Sequence, residues 1–252
     1  MSVKICAIAS WSNGNCYYIG TEKSWILIDD GISYKMLTNR MKECGLSLEK
    51  ITGIFISHEH TDHICGLPRF CKFHPEVPIY FNREAFTTLW TEGEEYYSQV
   101  EDLFTDEIIL DEFKIIPFLK SHDTVFPVSF RVEVEGISIG VFTDIGEVDE
   151  NLQREFSQCQ AAFIETNYDE QMLRYGPYPA YLKNRVSKTH LSNNETFELI
   201  QKHANPQLKI LIFSHISKDN NSYQKIMEKF SNLSQYQLSL AKREECGMVF
   251  TL

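Results

Sequence analysis

The stretch IFISHEHTDHICGL, residues 54–67, decides how this sequence folds and what it can bind. An apolar run at Ile54–Ile56 ends abruptly in three histidines and one aspartate within six positions, namely His58, His60, Asp62 and His63. Burying four such side chains without partners would cost on the order of several kcal/mol, and an exposed loop would not need an apolar strand leading into it. Imidazole and carboxylate groups are the ligands that hold zinc and similar divalent ions. The stretch therefore predicts a strand that delivers metal ligands at its end.

Length and composition bound the class of protein. The 252-residue chain has the length of one large domain or two small ones, and it can bury a sizeable core. It contains no run of about 18 apolar residues, so no membrane span is expected. Its first ten residues lack the basic region and long apolar segment of a signal peptide. Seven cysteines, an odd number without a framework of spacings, favour a reducing compartment. These features predict a cytoplasmic protein.

The charge is distributed unevenly along the chain. The formal net charge of −11 is unusual for a protein that handles nucleic acid. Ten acidic residues and no lysine or arginine lie between Glu84 and Phe113, so the remaining chain is close to neutral. We expect that acidic block to be a solvated face or loop. The segment from Gln171 to Asn194 has four basic residues and no acidic ones: Arg174, Lys183, Arg185 and Lys188.

Strand and helix patterns alternate in both halves of the sequence. A helical pattern runs from Tyr34 to Cys44, with Gly45 placed to cap it, and a single helix is predicted to follow the histidine cluster. Two strand patterns flank a predicted turn at Glu135-Gly136. Ser192, with Glu195 three positions later, forms the capping box of another helix. This alternation predicts two sheets packed face to face and covered by helices outside.

Five residues of the metal-ligand type each follow an apolar strand. Because strand ends are rigid and converge on one rim of a sheet, they would form one site: Asp29, His58, His122, Asp144 and His215. Taken singly, His122, Asp144 or His215 could be structural, but together with the histidine cluster they favour a metal site. Two neighbouring divalent ions can clamp the attacking and leaving oxygens of a hydrolysis. Cys65 and Cys71 do not have a ligand spacing, and we expect them to be core residues.

The sequence resembles the metallo-β-lactamase superfamily. SHEHTDHICGL, residues 57–67, matches its HxHxDH signature, and His122, Asp144 and His215 follow in the expected order. The resemblance implies an α/β protein with the metallo-β-lactamase fold, a four-layer αββα sandwich. It implies a single domain over residues 1–252, with two pseudo-symmetric halves at approximately 1–135 and 136–252. A dinuclear site would lie at the edge between the sheets, with zinc favoured and manganese or iron also acceptable.

The same resemblance implies a role for each residue of the site. The implied ligands are His58, His60 and His122 for one metal, Asp62, His63 and His215 for the other, and Asp144 as a bridge between them. A water or hydroxide would lie between the metals, and Asp62 could also accept its proton. Asp29 would orient the HxHxDH loop by hydrogen bonding. Asp30 is not expected to be a ligand.

A narrower resemblance is to the WalJ/YycJ (VicX) proteins, bacterial metallohydrolases regarded as nucleases and similar to ribonucleases Z and J. It rests on ASWSNGNCYYIG (9–20), HDTVFPVSF (122–130), ETNYDEQML (165–173), GPYPAYLKNRVSKTHLSNNET (176–196) and SHISKDNN (214–221). The related enzymes place a histidine in a turn before the last metal histidine, and His190 fits this role. It would touch the substrate phosphate or protonate the leaving oxygen. Trp11 stands where a small residue is usual, and Tyr168 where histidine is common.

The basic, tyrosine-rich segment before His190 favours a nucleic acid substrate, because phosphates attract cations and unstacked bases stack on aromatic rings. The predicted substrate contacts are Lys183, Arg185, Lys188 and Tyr178. A solvated helix with its tyrosines packed inward is an equally weighted alternative. The first hypothesis is therefore a DNA or RNA phosphodiesterase, in particular an exonuclease, that uses a metal-bridging hydroxide.

Two other functions compete with this hypothesis. The same metal set would serve a hydrolase of a small molecule such as a lactone, thioester or cyclic nucleotide. The overall acidity and the lack of an added nucleic-acid domain favour that alternative. A binding protein that keeps the fold without catalysis is disfavoured, because no metal ligand is missing.

Overall fold

Two seven-stranded sheets form the centre of the structure, a computed structural model that describes residues 2–90 and 99–252. The first sheet contains β1 (Lys4–Trp11), β2 (Gly14–Gly20), β3 (Trp25–Ile28), β4 (Ile51–Phe55), β5 (Ile79–Phe81), β6 (Val100–Asp102) and β14 (Phe250–Thr251), in the order β14-β1-β2-β3-β4-β5-β6. The second contains β7 (Ile108–Leu110), β8 (Phe113–Leu119), β9 (Val128–Val134), β10 (Ile137–Phe142), β11 (Ala161–Glu165), β12 (Ile210–Ser214) and β13 (Gln237–Leu240), in the order β13-β12-β11-β10-β9-β8-β7.

Helices cover the outer faces of both sheets. The first sheet packs against α1 (Tyr34–Glu43), α2 (Thr61–Ile64), α3 (Leu67–Phe73) and α4 (Arg83–Thr87). The second packs against α5 (Glu150–Phe156), α8 (Asn193–His203) and α9 (Tyr223–Lys229). Two further helices, α6 (Glu170–Tyr175) and α7 (Ala180–Thr189), share a small apolar cluster of their own. The predicted four-layer αββα arrangement is confirmed.

Alternation of side chains along the strands explains the layers. On β1, Ile5 lies in the core between the sheets, whereas its neighbour Cys6 lies in the core beneath the outer helices. On β11, Phe163 lies between the sheets and Ile164 in the opposite outer core. Since successive residues of a strand face opposite sides, a strand buried on both faces is a continuous apolar run. This is why strands such as β3 and β12 are almost entirely apolar.

Three local predictions are confirmed by the backbone. The helix predicted from Tyr34 to Cys44 is α1, and Gly45 after it has a φ of 66°. The turn at Glu135-Gly136 joins antiparallel β9 and β10, and both of its residues have positive φ, 51° and 76°. Ser192 and Glu195 form the capping box of α8.

The helix predicted after the histidine cluster is wrong as a single element, because it is broken into α2 and α3 at Gly66. The N–H of Gly66 donates to the Asp30 carbonyl oxygen at 2.8 Å. A Cβ at this position would lie 2.5 Å from both carboxylate oxygens of Asp30, so the contact requires glycine. Cys65 is exposed at this break, and its prediction as a core residue is wrong, whereas Cys71 is buried.

The chain passes from the first sheet to the second between β6 and β7 and returns to the first for β14. The change of sheet therefore comes earlier than residue 135, and the two pseudo-symmetric halves stay a prediction. Residues 91–98 of the acidic block lie outside the described residues, whereas Glu101 and Asp102 are exposed. Within the described ranges, no helix combines the length and apolar character needed to cross a lipid bilayer.

Candidate metal centre

Three histidines from the ends of β4 and β8 direct ring nitrogens at one another. His60 Nδ1 lies 3.1 Å from His58 Nε2 and 3.3 Å from His122 Nε2. The outer nitrogens are held by the protein, since His58 Nδ1 lies 2.9 Å from Ser57 Oγ and His122 Nδ1 donates to the Thr189 carbonyl at 3.0 Å. Burial lowers the pKa of all three, that of His122 to about 3. They are therefore neutral and oriented to coordinate a metal.

A second group combines Asp62 and His63 of α2 with His215, which follows β12. Asp62 Oδ2 lies 3.6 Å from His63 Nε2 and 3.8 Å from His215 Nε2. Burial would raise the pKa of the Asp62 carboxyl, but His63 and His215 lower it. Burial would likewise lower the pKa of His63, but the carboxylates of Asp29, Asp144 and Asp62 raise it to about 10. The carboxylates around this group thus favour a positive charge beside them, from a proton or from a cation.

Asp144 lies between the two groups. Its Oδ2 is 3.2 Å from His63 Nε2, and its Oδ1 is 3.5 Å from His215 Nε2 and 3.8 Å from His122 Nε2. Among the described residues, neither Asp144 Oδ2 nor His215 Nε2, both buried, has a partner with hydrogen-bond geometry. Leaving such atoms unpaired is costly, and divalent cations would satisfy both. The donor set, imidazole nitrogens and carboxylate oxygens, fits such ions.

Three of the site residues leave their strands in a left-handed backbone conformation. The φ angles are 62° at Asp29, 56° at Asp144 and 51° at His215. Such a conformation costs a residue other than glycine about 1–3 kcal/mol and persists only where the surroundings enforce it. Each sharp turn ends a buried strand and places the side chain at the shared rim of the sheets.

Asp29 supports the histidine loop from behind. Its Oδ1 accepts the N–H of Ser57 at 2.8 Å, and its Oδ2 lies 2.7 Å from His63 Nδ1 and accepts the Ser57 hydroxyl at 2.9 Å. The neighbouring Asp30 is fully buried, and neither of its oxygens has a hydrogen-bond partner in the part of the chain that the structure describes. Burial together with Asp29 raises its pKa to about 8. Its oxygens lie against Gly66 rather than among the ligand groups.

Sequence reasoning missed Glu165, which joins two histidines of the site. Its Oε1 lies 2.9 Å from His190 Nδ1 and 2.7 Å from His215 Nδ1, and its Oε2 accepts the backbone N–H groups of Ile145 and Leu191. Burial would raise the pKa of this carboxyl, but His190 and the hydrogen bonds lower it to about 2. A signal existed, because Glu165 ends the apolar strand AAFIE as the other site residues end theirs.

A chain of hydrogen bonds from β1 and β2 also reaches the second group and was not foreseen. Asn15 Nδ2 lies 3.2 Å from Asp62 Oδ2, and Asn15 Oδ1 accepts the Tyr17 hydroxyl at 3.2 Å. Tyr17 lies 2.7 Å from Ser10 Oγ, which accepts the N–H of His215 at 2.7 Å. The adjoining ends of β1 and β2 therefore fix two of the ligands, Asp62 and His215.

The predicted substrate contacts differ in their relation to the site. Arg185 pairs with Asp123 at 2.7 Å, and Asp123 Oδ1 lies 3.6 Å from His122 Nε2. Lys183 donates to the Arg174 carbonyl at 2.8 Å, the hydroxyl of Tyr178 donates to Asp219 at 3.1 Å, and Lys188 is exposed on α7. Arg185 is thus joined to the histidine groups through Asp123, whereas Lys183 and Tyr178 contact residues outside them.

The tyrosines of this segment are divided between surface and interior. Tyr175 and Tyr181 are 77% and 75% exposed, so the alternative that the tyrosines pack inward is wrong for both. Tyr178 is half-buried and packs against a small cluster that contains Tyr168. Tyr168 is itself buried, and its side chain supports α6 and α7.

A family description, the beta-lactamase superfamily domain, matches residues 24–216. The chain belongs to the beta-lactamase superfamily. It is 26% identical over 260 residues to exodeoxyribonuclease YycJ of Bacillus anthracis, with 100% of this chain and 95% of that protein covered. It is 30% identical over 226 residues to exodeoxyribonuclease WalJ of Streptococcus pneumoniae, with 86% and 83% covered. The solved metallo-β-lactamase fold protein YhfI from Bacillus subtilis matches with a TM-score of 0.75 at 15% identity, with 100% and 99% covered.

These comparisons confirm the resemblance on which the fold was predicted. The superfamily, together with the groups of histidine and aspartate side chains whose ligand atoms all lie within 4.8 Å of one another, implies divalent metal ions at this site.

Replacing Asp144 is expected to weaken metal binding at both groups, because its carboxylate reaches both. Asp144→Ala should lower the affinity for divalent metal by at least about tenfold, measured by elemental analysis after dialysis against metal-free buffer. The control Asp106→Ala removes an exposed acid and should keep the wild-type metal content. A folded Asp144→Ala protein with wild-type metal content would contradict the assignment.

Proposed function

We propose that this protein is a binuclear metal-dependent hydrolase of phosphodiester bonds that acts as an exonuclease on nucleic acid. The observation that carries the proposal is the convergence of two ligand groups on the buried carboxylate of Asp144, beside a histidine and an exposed basic segment. The relatives WalJ and YycJ are named exodeoxyribonucleases, which supports DNA as the substrate. The cytoplasmic location stays a prediction.

We assign one divalent ion to each ligand group, zinc before manganese or iron. When bound, such ions would generate hydroxide from water near neutral pH and offset the negative charge that develops on the phosphoryl oxygens. The ligands of the first group are His58, His60 and His122, those of the second are Asp62, His63 and His215, and Asp144 is shared. The side chain of Asp62 is 22% exposed, against 3% for His215 and Asp144. Its access to solvent suits it to accept a proton from the attacking water.

His190 is the residue best placed to protonate the leaving oxygen. Its ring lies 5.4 Å from that of His122 and 5.1 Å from that of His215, and its side chain is 12% exposed. Glu165 occupies Nδ1, which leaves Nε2 to donate.

The surface formed by α6 and α7 supports a polynucleotide substrate. Arg174 lies over the ring of Tyr175, with its guanidinium carbon 5.4 Å from the ring centre, and Tyr181 is equally exposed. Exposed aromatic rings stack on bases, and the neighbouring cations attract phosphates. Salt screens charges that lie more than about 8 Å away at physiological ionic strength, so a ligand that approaches along α7 responds to these nearby cations more than to distant acidic residues.

The function is tested by incubating the metal-loaded protein with end-labelled single- and double-stranded DNA and RNA, beside a simple phosphodiester and a lactone. We expect progressive shortening of DNA from one end, which a chelator abolishes. Turnover of the simple phosphodiester or the lactone, without cleavage of any polynucleotide, would contradict a nuclease and favour a small-molecule hydrolase.

His190→Ala should lower kcat on DNA by about 10²–10⁴-fold, the usual contribution of a general acid, while metal content stays at the wild-type level. A phosphodiester with a nitrophenolate leaving group needs no proton, so its hydrolysis should fall far less. His203→Ala, at the end of α8, is the control. Equal loss on both substrates, or loss of metal, would show that His190 is not the proton donor.

Arg185→Ala should raise KM for an oligonucleotide and reduce the slope of log affinity against log salt concentration by about one unit, because one phosphate contact is lost. Lys202→Ala is the matched control, since Lys202 is also an exposed cation in an ion pair, 2.8 Å from Glu198. Identical salt dependence in the two variants would show that Arg185 does not contact a substrate phosphate.

A further inference from the structure

Three cysteines bring their sulfur atoms together outside the histidine and aspartate site. Cys44, at the end of α1, forms a disulfide with Cys246, which lies 202 residues later and just before β14. Cys6 of β1 is a free, buried thiol whose sulfur lies 3.4 Å from that of Cys246. All three sulfurs lie within 4.8 Å of one another. Three segments that are remote in sequence thus meet at one cluster of sulfur.

A backbone oxygen completes this cluster. The carbonyl oxygen of Gly247 lies 3.4 Å from Cys6 Sγ and 3.7 Å from Cys44 Sγ. The N–H of Gly247 donates to the Ala7 carbonyl at 2.9 Å, and a Cβ at position 247 would meet that same oxygen at 2.9 Å. The peptide is therefore fixed against β1, with its carbonyl oxygen beside the sulfur atoms of Cys6 and Cys44.

A disulfide alone does not account for this arrangement, because it uses two sulfurs and leaves the third buried beside them. Zinc binds thiolates at about 2.3 Å in a tetrahedron, so its sulfur ligands stand roughly 3.7 Å apart, close to the separation of Cys6 and Cys246. We propose that Cys6, Cys44 and Cys246 form a second metal site that binds zinc or a similar thiophilic divalent ion once the disulfide is reduced.

A dithiol can reduce the Cys44–Cys246 disulfide and so convert the oxidised protein to the form that binds the ion. The dithiol gives two electrons and two protons to the Cys44–Cys246 bond, which becomes two thiols, and the dithiol closes to its own disulfide. Binding of the ion then releases three thiol protons to solvent and leaves three thiolates as ligands, with the Gly247 carbonyl as the fourth donor. Burial raises the pKa of the Cys6 thiol to about 12, and a bound cation supplies the charge that removes this proton. A disulfide oxidant would re-form the Cys44–Cys246 bond and release the ion.

Cobalt distinguishes this site from the histidine and aspartate centre, because cobalt–thiolate bonds give intense near-ultraviolet charge-transfer bands that nitrogen and oxygen ligands do not. The full chain would be reduced with a phosphine, freed of reductant without oxygen and titrated with cobalt. We expect thiolate bands whose maximum intensity corresponds to one thiolate-bound ion per chain, and no such bands before reduction. Cys6→Ala and Cys246→Ala should abolish them. Cys159→Ala, which removes another buried thiol, should keep them.

A count of reactive thiols gives a second readout that needs no variant. In the reduced native protein, zinc should protect Cys44 and Cys246, the two half-buried thiols of the cluster, from an alkylating reagent, and a chelator should restore their reactivity. Absence of thiolate bands in the reduced wild type, unchanged bands in Cys6→Ala, or no zinc-dependent protection would overturn the proposal and leave a disulfide with an idle neighbouring thiol.

Discussion

The buried carboxylate of Asp144, enclosed by imidazoles from both sheets, is the interaction on which the site depends. Asp144 and Glu165 are buried, and each would be costly as an uncompensated charge. The protein meets this cost with positive charge, since the surrounding carboxylates raise the pKa of His63 and His215 against the effect of burial. Divalent ions would take the place of those protons. Metal and proton therefore compete for His63 and His215, and metal affinity must fall as the pH falls.

The sandwich core supplies the rigidity that this arrangement needs. Strained backbone at Asp29, Asp144 and His215 would relax in a mobile loop, but each follows a strand packed on both faces. The hydrogen bonds of Asp29 to Ser57 and His63, and those of Glu165 to two histidines, then fix the rings that the strands deliver. Core packing therefore determines ligand geometry, because the packed sheets fix the conformation of the turns and the turns orient the ligand side chains.

The sequence was sufficient for a prediction where a strand or turn pattern coincided with residues of the metal-ligand type. The run into His58 combined an apolar strand with ligands at short spacing, and the turn at Glu135-Gly136 placed Asp144 at a strand end. Glu165 was missed because a single glutamate after a strand has the same pattern as a solvated one. The break at Gly66 had a local signal that was not used, since Gly66 and Pro68 are the cap and a first-turn residue of α3; the contact with Asp30 has no such signal. The three cysteines were missed because separations of 202 and 240 residues carry no periodicity.

The central claim is that two ligand groups share Asp144 and each hold a cation. Anomalous diffraction from crystals of the metal-loaded protein tests it most directly. The account predicts two peaks at the rim of the sheets, one among His58, His60 and His122 and the other among Asp62, His63 and His215, with Asp144 reaching both. A loaded crystal in which these side chains contact no anomalous peak would contradict it.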